Sequence, residues 1–80
     1  MPVLAGMDAA REQEIIIRLG NRIRSIREKK RYSLRELADK ADMAYNSIHR
    51  IEQGLVNPQI TTVILLAEAL EVDPAVLVTL

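Results

Sequence analysis

The chain has 80 residues, 49% hydrophobic and 28% charged, and its eleven basic and eleven acidic side chains cancel to zero net charge. A chain this short holds one core at most, and the composition is that of a globular rather than a disordered segment. With no cysteine and a single histidine, it lacks the material for disulfides, a thiolate or multi-histidine metal site, or a histidine-based triad, so neither metal nor cofactor is expected.

No apolar run reaches the roughly 18 to 20 residues that cross a bilayer. The opening MPVLAGM lacks the basic n-region and the apolar length of a secretory signal. Scattered carboxylates show no paired acid–base spacing. These features point to a soluble, cytoplasmic, single-domain protein that binds rather than catalyses.

Residues 1–11 carry no sustained period and read as a loose N-terminal arm ahead of a domain over 12–80. From about Glu12, Ile15, Leu19, Ile23 and Ile26 recur at helical spacing, and Ile16 widens the stripe. Gly20 costs this first helix about 1 kcal/mol relative to alanine. The polar face carries Arg18, Arg22 and a basic cluster at the C-terminal end, where cations suit the helix dipole. Gln13 to Arg31 holds seven basic residues against Glu14 and Glu28, a balance of +5, whereas the only charges in Leu55 to Leu80 are Glu68, Glu71 and Asp73. Such asymmetry hints at an anionic partner, although a basic run by itself is usually a solvated helix face.

Ser33 followed by Glu36 is a capping box, with Tyr32 and Leu37 placed as its hydrophobic staple. The second helix runs Leu34, Leu37, Ala38, Ala41. Asp42 follows where glycine is usual, at some conformational cost. A third helix begins at Ala44 or Tyr45, buries Met43, Ile48 and Ile51, and stops at Gly54. Asn57-Pro58 marks a turn before a fourth helix, Ile60 to Leu70. Asp73-Pro74, a capping carboxylate followed by proline, opens a fifth, nearly all-apolar helix, Ala75 to Leu80. No stretch alternates with period two, so the fold class is all-α with five helices.

The second and third helices, joined by Asp42-Met43-Ala44, have the form of a helix-turn-helix unit. Ala38 sits where two steeply crossed axes approach. Outward on the third helix lie Tyr45, Asn46, His49 and Arg50, with Gln53 a turn further. Each can donate to or accept from a base edge or a phosphate, and none is acidic.

Three segments, IRSIREKKRYSLRELADKA, SIHRIEQGLVNP and ITTVILLAEALEVDP, follow in this order. Through them the chain, from Leu19 to about Leu77, resembles the Cro/cI-type (XRE) helix-turn-helix regulators. The resemblance implies a lambda-repressor-like five-helix domain whose second helix braces the DNA backbone and whose third reads the major groove. It also implies a homodimer on a near-palindromic operator of double-stranded DNA, with half-sites about 34 Å apart. Carried across, Asn46 and Arg50 are the direct readers, of adenine and guanine, each pair worth about 1–3 kcal/mol of discrimination. Tyr45 and His49 fall on base- and backbone-reading positions, Ser47 lies within reach of a phosphate, and Arg27 with Glu52 matches a structural ion pair of some relatives. Ser33, Arg35, Lys30 and Arg22 are assigned to phosphates. The sequence departs from the pattern at Leu34, where glutamine is frequent, at Asp42 in place of the turn glycine, and at Ala44, which is no N-cap.

The fourth and fifth helices carry more apolar surface than a small core uses, which marks an interface. Its expected members are Leu65, Val76 and Leu80 in a homodimer. The reading is a DNA-binding transcriptional regulator of controller or compact-repressor type, with no enzymatic step and no small-molecule effector. The alternative is a protein-interaction module or antitoxin, in which the helix-turn-helix is scaffold and the apolar C-terminal helices bind a partner.

Overall fold

The computed structural model describes residues 8–80. Five helices follow in chain order: α1 Ala9–Lys29, α2 Leu34–Ala41, α3 Tyr45–Glu52, α4 Ile60–Leu70 and α5 Pro74–Val78. There is no strand among the described residues. The all-α, five-helix reading holds, and α2 and α4 begin and end where their patterns place them. The fifth helix is shorter than expected and leaves Leu80 beyond its end.

The start of α1 is a correction. Asp8 accepts the Arg11 amide at 2.8 Å and caps the helix, so residues 9–11 are helical and not part of an arm. A polar first turn has no apolar stripe to announce it; the carboxylate at the N-cap is the signal that was available. Met1 to Met7 lie outside the described residues.

Helix termination is more uniform than the sequence suggests. Arg31, Asp42, Gly54 and Glu71 each follow a helix in the left-handed conformation, with φ of 62°, 53°, 73° and 60°. At each, two amides turn back onto the last-turn carbonyls: Arg31 on Glu28 and Tyr32 on Arg27, Asp42 on Asp39 and Met43 on Ala38, Gly54 on Ile51 and Leu55 on Arg50, Glu71 on Glu68 and Val72 on Ala67. This paired closure is the Schellman motif. Only Gly54 adopts it without a Cβ penalty; the other three oppose sterics of about 1–2 kcal/mol each.

Every helix contributes a fully buried aliphatic side chain: Ile23, Leu37, Ile48, Leu66 with Leu70, and Leu77. With no Phe or Trp in the chain, branched aliphatics fill the centre, and Tyr32, Leu34 and Met43 pack at its edge. The backbones of α1 and α3 approach closely at Gly20. A Cβ at Gly20 would overlap the Ile51 carbonyl oxygen and lie 2.9 Å from that of Glu52. The helix-propensity cost of Gly20 is therefore the condition for close backbone packing.

Two substitutions separate local from tertiary effects. Gly20→Ala is expected to lower stability by about 1–3 kcal/mol through overpacking, although propensity alone favours alanine by about 1 kcal/mol. Asp42→Gly is expected to raise stability by about 0.5–1 kcal/mol, because relief of left-handed strain exceeds the added chain entropy. Thermal melts of both variants against the parent chain read the two signs directly.

Candidate nucleic-acid interface

The unit that matters is α2, the turn Asp42–Ala44, and α3. The start of α2 is fixed by both arms of its capping box. The Ser33 amide donates to Glu36 Oε1 at 2.7 Å, and the Glu36 amide donates to Ser33 Oγ at 3.0 Å. The backbone amide of Ser33, with help from its hydroxyl and from Lys40, holds the Glu36 carboxyl below the usual carboxylate range. The Ser33 hydroxyl is thus engaged by Glu36 both as acceptor of its amide and beside its carboxylate.

α3 opens at Ala44 with no side-chain cap. It buries Ile48, Ile51 and Glu52 and exposes Tyr45, Asn46, Ser47, His49 and Arg50, with Gln53 following. Among the described residues, no hydrogen bond or ion pair involves the side chains of Asn46, Ser47, His49 or Arg50. Their polar groups point to solvent and are not committed to the body of the molecule. Tyr45, 41% exposed, lies with its ring 5.5 Å from the Arg35 guanidinium carbon and stacks on the His49 ring at 6.2 Å and 9°. Ser47 and Arg50 border a groove of about 250 Å³ whose far wall is Val56, Pro58 and Thr62.

The back of α3 is clamped to α1. Arg27 forms a forked pair with Glu52, Nε to Oε2 at 2.8 Å and Nη2 to Oε1 at 3.0 Å, and its Nη1 donates to the Tyr32 carbonyl at 2.9 Å. Their side chains are only 12% and 3% exposed. The hydrogen-bonded Glu52 carboxylate raises the Arg27 pKa further, against the opposing effect of burial. Sequence reasoning missed Gln13, whose Nε2 donates to the Gly54 carbonyl at 2.9 Å.

The phosphate set divides. Arg35 lies at the start of α2, and Lys30 sits exposed in the link before it. Arg22 has partners within the fold: it donates to the Val76 and Thr79 carbonyls at 3.2 and 2.8 Å. A helix C-terminus leaves unpaired carbonyls, and a guanidinium answers both their hydrogen bonding and their dipole. Arg18, one turn earlier, reaches the Leu80 carbonyl at 3.2 Å, and Arg24 pairs with Glu28 at 3.3 Å. Much of the basic run on α1 therefore works inside the fold.

Leu65, Val76 and Leu80 are 47%, 40% and 37% exposed, and Ile60, Ile64 and Val78 are exposed with them. The core takes Val63, Leu66, Ala67 and Leu70 from α4 and leaves a second apolar stripe uncovered. No described helix is long and apolar enough to cross a membrane.

Residues 23–77 match the family model described as helix-turn-helix. Among solved structures, the chain is similar to the restriction-modification controller protein C.AhdI from Aeromonas hydrophila, with a TM-score of 0.76 and 27% identity over 78% of this chain and 94% of that one. It is also similar to the hypothetical transcription factor NHTF from Neisseria, with a TM-score of 0.78 and 25% identity over 84% of this chain and 77% of that one. No curated protein matches the chain.

Removal of one member of the Arg27–Glu52 pair leaves the other buried without its counter-charge. Glu52→Ala is expected to cost about 3–5 kcal/mol in urea unfolding, whereas an Arg27→Met/Glu52→Leu double variant is expected to recover most of that loss.

Proposed function

The chain belongs to the helix-turn-helix family of DNA-binding regulators, and from that premise we propose that it is a sequence-specific transcriptional regulator acting as a homodimer on a near-palindromic operator. The observation that carries this reading is the outward face of α3, whose donors and acceptors have no partner among the described residues. A major groove accepts one α-helix and offers each base pair as a distinct pattern of donors and acceptors. Arg50 meets guanine and Asn46 meets adenine, each as a bidentate contact. Ser33, Arg35, Ser47 and Lys30 set the register on phosphates, while Tyr45 and His49 lie between the backbone and the base edges.

Two recognition helices must be held one turn of DNA apart, about 34 Å. The uncovered stripe of Leu65, Val76 and Leu80, with Ile64, supplies an apolar surface for a two-fold contact. The mechanism is occupancy of a promoter in the cytoplasm, with no chemical step and no small-molecule effector. Affinity falls steeply with salt as the duplex regains its counterions.

Titration against genomic DNA fragments at two salt concentrations tests the reading. Arg50→Ala and Asn46→Ala are each expected to weaken binding to the selected fragment by about 1–3 kcal/mol while sparing non-specific binding. Leu65→Glu is expected to sediment as a monomer and to bind the fragment more weakly. Weak binding indifferent to Arg50 and Asn46 supports instead a protein-interaction module that uses the apolar stripe for another partner.

A further inference from the structure

Three side chains at the junction of α2 and α3 form one contiguous array: the Arg35 guanidinium 5.5 Å from the centre of the Tyr45 ring, and the His49 imidazole stacked on the same ring at 6.2 Å. All three are exposed. The array joins helices that the turn alone would leave free to present their side chains independently. Leu34, the first residue of α2, packs at the core edge and its side chain has no polar atom to offer. Arg35 is therefore the first cation of α2.

We infer that Tyr45 is a positioning residue for Arg35: its ring holds the guanidinium in the pose from which Arg35 meets a phosphate beside the groove that α3 enters. The inference rests on the DNA-binding reading above and deepens it. No hydrogen bond or ion pair engages the Arg35 side chain among the described residues, so a guanidinium held against the Tyr45 ring keeps donors for a bidentate phosphate contact. A long side chain otherwise loses its rotamer freedom at the moment of docking; here part of that ordering precedes DNA. His49, one turn along α3, restricts the Tyr45 ring in turn. The phosphate contact of α2 is thereby geometrically tied to the base-reading face of α3. An exposed cation–ring contact is worth about two- to fivefold in an equilibrium constant, which sets the size of the expected coupling.

The test measures binding of the full chain to a random-sequence duplex about three helical turns long, by fluorescence anisotropy, between about 50 and 200 mM salt. Arg35→Ala is expected to weaken binding and to reduce the salt slope by about 1. Tyr45→Leu is expected to weaken binding by about two- to fivefold more in the parent chain than in the Arg35→Ala background. Tyr45→Phe, which keeps the ring, is expected to preserve the coupling: Arg35→Ala costs as much in the Tyr45→Phe chain as in the parent. Without DNA, the His49 ring proton shifts are expected to move in Tyr45→Leu and to hold in Tyr45→Phe. Strictly additive losses for Tyr45→Leu and Arg35→Ala overturn the inference and leave the DNA-binding reading standing, as does a Tyr45→Phe chain in which the coupling is lost as fully as in Tyr45→Leu. A parent chain that does not bind the duplex overturns both.

Discussion

The structure depends on one crossing, that of α1 over the C-terminal end of α3. Gln13, Gly20 and Arg27 lie seven residues apart on α1, two helical turns each, and so share one face. Gln13 holds the Gly54 carbonyl, Gly20 admits the Ile51 and Glu52 carbonyls, and Arg27 takes the Glu52 carboxylate. Three contacts of different kinds thus fix α3 from behind, at its C-terminal end. On the exposed face of α3, the side chains of Asn46, Ser47 and Arg50 make no hydrogen bond or ion pair among the described residues. The ion pair need not add net stability relative to an apolar pair of similar volume, since desolvation opposes its Coulombic gain. What it does impose is register, because a forked guanidinium–carboxylate contact tolerates little sliding of one helix along the other.

Zero net charge and a polyanionic partner are compatible once the charges are placed. Arg24 and Arg27 have carboxylate partners, while Arg18 and Arg22 answer the backbone carbonyls at the end of the chain. Glu52 is buried, and Glu36 is bound into its cap. Among the described residues, no ion pair engages Lys29, Lys30, Arg31, Arg35 or Arg50. Those cations surround the helix-turn-helix unit. Local potential follows where the charges lie rather than their total, and Glu36, Asp39 and Asp42, exposed on the same unit, offset part of this basic set.

The C-terminal helices show the same division of labour. α4 gives one stripe to the core and turns another, with Ile64 and Leu65, outward. α5 is only five residues long, too short to be stable alone. Its stability comes from the Asp73 cap at 2.8 Å, from Leu77 in the core, and from the arginines that hold its far end. Arg22 therefore helps to hold in place the segment that presents Val76 and Leu80.

Much of this was legible in the sequence. The capping box at Ser33 and Glu36, the staple at Tyr32, the Asp73-Pro74 start, the exposed set from Tyr45 to Arg50 and the pairing of Arg27 with Glu52 all follow from patterns or from the family resemblance. The local patterns depend on groups within a turn or two of one another, and such distances are set by helix geometry alone. The N-cap at Asp8 was equally local and was overlooked. The destination of Arg22, the need for glycine at position 20, the role of Gln13 and the contact of Arg35 with Tyr45 were not legible. Each depends on how closely, and at what angle, two helices approach. That separation is decided by the packing of the whole aliphatic core, and no window along the chain contains it.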